Sequence, residues 1–183
     1  MRKLVMITVM AIAMVATLSI GMVSADGGKK VEVKGLESFE ANSLFLSNLR
    51  FTPQDIRIER GDTVTWEDKA QTTVPHTITI VEREDLPVDF ASAYTCFWDD
   101  LIPGVTFDGF CLQFLRAHGG LANPTPVVNV GRPGLDIPGD SLFLTGGGSI
   151  SAQVTAAPGV LHYMCIIHPW MQGKITVEEK RRK

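Results

Sequence analysis

Four stretches of this chain alternate apolar and polar residues with a period of two. That pattern restricts the fold more than any other feature of the sequence. Ile56 and Ile58 alternate with Arg57 and Glu59, and Val64 and Trp66 with Thr63 and Thr65. Ile78 and Ile80 alternate with Thr77 and Thr79, and Ile175 and Val177 with Lys174 and Thr176. Successive side chains of a strand point to opposite faces, so each stretch reads as a strand with one buried and one wet face. Gly61-Asp62 reads as the turn between the first two, and Ala157-Pro158-Gly159 as another. Ser141 to Leu144, a Gly146 to Gly148 turn and Ser149 to Ala156 continue the strand-like pattern. Short turn-bounded strands predict an all-β sandwich or barrel, and the 17 glycines and 10 prolines suit one. A length of 183 residues suits one domain.

Residues 82–140 break the rhythm. Glu82 to Asp85 is charged, and 86–107 is rich in Pro, Phe and Asp without clear periodicity. Asp108 to His118 predicts one short helix: Asp108 can cap it, Phe110, Phe114 and Leu115 share a face, and Gly119-Gly120 stops it. Four prolines between 124 and 138 mark a loop. The expectation is an insertion over about 82–140, carried by a single domain spanning 26–183.

Residues 1–25 read as a cleaved export signal. Arg2 and Lys3 precede an uncharged apolar run, and Val23-Ser24-Ala25 places small residues before Asp26. Left uncleaved, the run is about long enough to span a bilayer; either way the rest of the chain lies outside the cytoplasm, periplasmic or extracellular. Without Arg2 and Lys3, 15 basic residues face 20 acidic ones, a net charge of −5. No basic excess exists to hold a phosphate backbone, so nucleic acid is not an expected partner. In an oxidising compartment Cys96 and Cys111 are expected to pair. Cys165 is then left over, which makes it intermolecular, reactive or a metal ligand.

The chemistry concentrates in Leu161-His-Tyr-Met-Cys165-Ile-Ile-His168-Pro-Trp-Met171. A thiolate, an imidazole and a thioether fall within seven residues, and Pro75-His76-Thr77 supplies a second imidazole at the start of a strand. Two histidines and a cysteine with a weak axial methionine form the ligand set of a mononuclear blue-copper site. Alternation along 161–165 puts Leu161, Tyr163 and Cys165 on one face and His162 and Met164 on the other, so His162 is not an expected ligand. The turn after Cys165, stiffened by Pro169, brings His168 and Met171 back toward the same point.

These residues resemble the cupredoxin family of blue type 1 copper proteins, plastocyanin- and amicyanin-like. One block reads Phe51-x-Pro53, Ile56-x-Ile58-x-x-Gly61-Asp62-Thr63-Val64-Thr65-Trp66 and Pro75-His76. The other reads Gly159-x-x-x-Tyr163-x-Cys165-x-x-His168-x-x-Met171-x-Gly173. The resemblance implies a Greek-key β-sandwich, one copper ion held by His76, Cys165, His168 and Met171, and outer-sphere electron transfer. In many members an Asn after the first His ties down the Cys loop. Thr77 stands here, so a weaker or replaced tie is expected. The 89-residue separation of His76 from Cys165 exceeds that of a minimal member, and the 82–140 insertion has no counterpart to draw on.

The function expected is an exported carrier of single electrons, not an enzyme. His168 would be the electron port through an exposed ring edge, with Pro169 and Trp170 in an apolar patch that docks transient redox partners. The alternatives are a copper-binding or delivery protein and, with less support, a nitrosocyanin-like copper enzyme. His118 reads as a cation at a helix C-terminus, His162 as solvated, Glu82 and Glu84 as a solvated run, Trp66 as core, and Lys180 to Lys183 as a frayed tail. A binuclear centre would need a second Cys in the ligand loop, where Ile166 and Ile167 stand.

Overall fold

The period-two stretches become strands packed as two sheets. The computed structural model describes residues 28–96 and 109–180. Its strands are β1 (Lys29–Lys34), β2 (Glu37–Glu40), β3 (Leu44–Ser47), β4 (Arg50–Thr52), β5 (Asp55–Glu59) and β6 (Thr63–Asp68). They continue with β7 (His76–Val81), β8 (Val127–Val128), β9 (Ser141–Leu144), β10 (Ser149–Gln153), β11 (Gly159–Met164) and β12 (Gln172–Glu178). One sheet runs β10-β6-β1-β4 and the other β5-β12-β11-β7-β9-β8, while β2 and β3 form a hairpin of their own. The chain passes between sheets, so sequence neighbours are often not sheet neighbours. This is the Greek-key β-sandwich. The export signal at 1–25, the Asp108 cap and the tail beyond Lys180 lie outside the described residues.

The two inner faces meet in one apolar cluster. Val31, Val33, Val64 and Trp66 from the first sheet pack with Ile56, Ile58, Ile78, Ile80, Tyr163 and Ile175 from the second. In β5, β6 and β12 the intervening residues are more open, as alternation requires. β7 departs from expectation, because all six of its residues are buried. Its outward face, expected to be wet, is covered by the helical segment.

That cover explains much of the chain between β7 and β9. The sequence predicts one helix; the structure has two, α1 (Phe90–Thr95) and α2 (Phe110–Ala117). Helix α1 starts at a reciprocal cap in which Asp89 accepts the Ser92 amide and Ser92 Oγ accepts the Asp89 amide. Six residues in a stretch without apolar periodicity carry no helical signal strong enough to read. Helix α2 begins after Gly109, with no side-chain cap. Cys96, at the end of α1, is disulfide-bonded to Cys111 in α2, as expected. The bonded pair packs with Val81, Met164 and Ile166 into a second cluster, joined by Leu86, Phe110, Phe114 and Leu115. Met164 thus faces away from Tyr163, as the strand period requires. Further along, β8 pairs onto β9, and Leu135 reaches the main core through a bridge to Val154. Among the described residues no helix is long and apolar enough to cross a membrane.

Candidate metal centre

The ligand candidates come from two parts of the sandwich. His76 opens β7 opposite Leu144 of β9. Cys165 directly follows β11, and His168 and Met171 lie in the turn to β12. That turn is closed by its own backbone: the Cys165 amide donates to Met171 O at 2.9 Å, and the Met171 amide to His168 O at 2.8 Å. The sequence motif therefore folds back on itself, as its spacing predicts.

One ligand atom from each of His76, Cys165 and His168 falls within 4.8 Å of the others. Cys165 Sγ lies 4.0 Å from His76 Nδ1 and 3.6 Å from His168 Nδ1. A metal–thiolate bond of about 2.3 Å and a metal–imidazole bond of about 2.0 Å at a trigonal angle separate S and N by about 3.7 Å. The two distances bracket that value, so the set fits a single copper ion. All three side chains are buried, and Met171 is buried in the same cluster as Cys165.

Burial also sets the protonation of the free groups. Desolvation lowers the pKa of His76 to about 4, helped by the neighbouring His168, and lowers that of His168 to about 4. Both imidazoles are neutral near pH 7 and can donate a lone pair. Desolvation pushes the Cys165 thiol up, so metal binding must displace its proton.

Thr77 supplies a replacement tie to the loop after Cys165. Its amide donates to Cys165 Sγ at 3.3 Å, and its Oγ1 accepts the Ile166 amide at 2.9 Å. A buried polar chain continues outward. Thr79 Oγ1 donates to Thr77 Oγ1 at 3.2 Å and lies 2.7 Å from Ser141 Oγ, which lies 2.8 Å from His118 Nε2. His118 Nδ1 is 2.7 Å from the Thr125 carbonyl. His118 is therefore not the cation expected at a helix C-terminus. It is fully buried, desolvation lowers its pKa, and it links α2 to the strands that carry the site.

The open ring edge expected at His168 is not what the fold provides. The residue is only 4% exposed, because the β2–β3 hairpin lays Glu37 Oε2 3.6 Å from Nε2. Pro169, expected in the docking patch, is buried. Trp170 is 40% exposed, with its ring edge-on to His168 at 5.5 Å between centroids. Glu82 and Glu84 are exposed, His162 is half-buried, and none of them joins the cluster. Trp66 is core. The sequence reading missed Glu37, Asp68 and the Thr79–Ser141–His118 chain. The alternating Lys30-Val31-Glu32-Val33-Lys34 could have flagged β1, but no local signal marks Glu37.

No family model and no curated protein matches the sequence. Among solved structures the chain is similar to a purple cupredoxin from Nitrosopumilus maritimus, at 17% identity over 82% of this chain and 99% of that one, TM-score 0.41. It is similar to oxidised plastocyanin from Dryopteris crassirhizoma, at 22% identity over 81% and 99%, TM-score 0.38. A third is an amicyanin variant in its reduced Cu(I) form at pH 4, at 16% identity over 84% of each chain, TM-score 0.40.

Proposed function

We propose that this chain is an exported mononuclear type 1 copper protein that carries single electrons between redox partners. The observation that carries the reading is the buried convergence of His76 Nδ1, Cys165 Sγ and His168 Nδ1 within 4.8 Å. These three would hold the ion, with the Met171 thioether, buried in the same cluster as Cys165, as a further donor. Copper supplies one-electron exchange between its two oxidation states. The protein's part is to keep the donors where they are in both. Thr77 holds the sulfur and the following amide, and the Cys165–Met171 backbone bond closes the turn. A site that does not rearrange keeps electron exchange fast.

Burial favours a carrier over a delivery protein. His76 and Cys165 are fully buried and His168 is nearly so, which limits a chelating partner's approach to the ion. A Met171 thioether bound to the ion would occupy a coordination position that a substrate needs, which argues against an enzyme. Partners meet the molecule transiently, at the side where exposed Trp170 packs against His168. The apolar start of the chain and the paired cysteines support a location outside the cytoplasm.

The test is the visible spectrum of the oxidised, copper-loaded protein, followed by voltammetry. An intense thiolate-to-copper band that Cys165→Ser abolishes is expected, as is a reversible couple with copper retained against a modest chelator. A colourless complex would overturn the copper assignment. Loss of the ion on each reduction would favour delivery.

A further inference from the structure

We propose that Glu37 and Asp68, each set behind the outer nitrogen of one ligand histidine, hold both rings in the ligating tautomer and bias the centre toward its more highly charged oxidation state. This rests on the metal reading above and deepens it.

The two histidines are arranged alike. Each turns Nδ1 toward Cys165 Sγ and Nε2 toward a carboxylate. His168 Nε2 lies 3.6 Å from Glu37 Oε2, and His76 Nε2 lies 4.0 Å from Asp68 Oδ1. His76 Nε2 is buried with no hydrogen-bond partner, and Asp68 is the nearer of the two carboxylates, with Glu37, whose charge acts on the ring. A neutral imidazole that ligates through Nδ1 must carry its proton on Nε2, and a carboxylate on that side favours it.

The Asp68 carboxylate is clamped, and the backbone around Glu37 is fixed. Asp68 Oδ1 accepts the Ala70 amide and Oδ2 the Gly147 amide, each at 2.8 Å. Glu37 is aimed by the base of its hairpin. Asn48 Oδ1 accepts the Leu36 amide at 2.8 Å, the Asn48 amide returns to Leu36 O at 3.1 Å, and the Gln71 amide donates to Gly35 O at 2.8 Å. Gly35 sits at φ +119°, and a Cβ there would lie 2.5 Å from the Asn48 carbonyl oxygen. The residue two before Glu37 must be glycine for the clasp to close.

Fixed negative charges near a buried ion interact more strongly with its doubly than its singly charged form. With the Cys165 thiolate, the two carboxylates bring three formal negative charges to the site. Together they favour the oxidised state, so removing either charge should raise the reduction potential.

The experiment compares copper-loaded wild type with Glu37→Gln, Asp68→Asn and, as a control on the same hairpin, Glu40→Gln. The amides keep shape and an acceptor oxygen but lose the charge. Glu37→Gln and Asp68→Asn are expected to keep the charge-transfer band. Each should raise the Cu(I) over Cu(II) affinity ratio about tenfold, about 59 mV for a one-electron couple. Glu40 is exposed, and its variant should not move the potential. Nitrogen-15 shifts of the apoprotein imidazoles should show the proton on Nε2 of both rings. Asp68→Asn can disturb two loops, but Glu37 sits on a hairpin outside the sandwich and leaves the test intact. An unmoved potential in Glu37→Gln with the band present, or an Nδ1–H tautomer at His168, would overturn the inference alone. No band in the wild type would overturn the metal reading and the inference with it.

Discussion

Thr77 holds Cys165 from two sides: its amide reaches the sulfur at 3.3 Å, and its hydroxyl takes the next amide of the ligand loop, that of Ile166, at 2.9 Å. A short hydroxyl does this because β7 and the ligand loop lie side by side, with Tyr163 and Met164 of β11 paired to Ile80 and Thr79. Thr77→Val keeps the shape and strands a buried donor, which costs about 1–3 kcal/mol. Thr77→Ser should recover most of the loss. Chemical denaturation of the three apoproteins checks this, and equal stabilities would show that water takes the place of the hydroxyl.

The buried chain from Thr79 through Ser141 to His118 makes a second prediction. His118→Leu leaves the Ser141 hydroxyl and the Thr125 carbonyl without their ring partner. A loss of about 1–3 kcal/mol is expected, with a shift in the thiolate-to-copper band because α2 is tied to the strand behind the sulfur. Urea titration and the visible spectrum read the two effects separately.

Acid should weaken the apoprotein over a defined window. The imidazoles of His76 and His168 titrate near 6.5 when unfolded and near 4 when folded. Between those values the unfolded chain binds more protons, so stability is complete above about pH 6.5 and falls as the pH drops toward 4. Each pKa unit is worth about 1.4 kcal/mol. Thermal melts at pH 7.5 and 5.0 should differ by several degrees. His168→Gln should reduce the difference.

The disulfide between Cys96 and Cys111 closes a loop of sequence separation 15 across the two helices. Replacing both cysteines with alanine should cost about 3 kcal/mol in the chain-entropy model. The loss should fall on the layer outside the second sheet. Thiol counting on the unfolded, metal-free protein should find one free thiol, Cys165. Three free thiols would remove the bridge.

Gly173 pairs with Tyr163 across β11 and β12, and a Cβ there would strike the Tyr163 ring and lie 2.7 Å from the Gln54 carbonyl oxygen. Tyr163 is fully buried between Phe51 and Trp66, so it has nowhere to move. Gly173→Ala should lower the melting temperature by more than an ordinary surface change. A stability within about 0.5 kcal/mol of wild type would show that the ring can give way.

The sequence by itself determined the sandwich strands, because alternation at β5, β6 and β12 is a local pattern that states which face is buried. It also marked the candidate ligands. Cys165, His168 and Met171 lie within one turn, and His76 is marked by Pro75 and its strand. The disulfide was legible from the count of cysteines and their expected compartment. Tertiary structure alone decided the rest. β7 is buried on both faces because α2 and the disulfide that ties it to the end of α1, separate in sequence from the strands they cover, pack on its outer side. Glu37 meets His168 because Asn48 and Gly35 close a hairpin far along the chain from the ligand loop. His118 became a neutral link, not a helix-end cation, because Ser141 and Thr125 close over its ring. Periodicity and motif spacing report what a residue's neighbours in sequence do. They carry no record of which distant surface will cover a face, and here that cover sets the charge around the site and the accessibility of its edge.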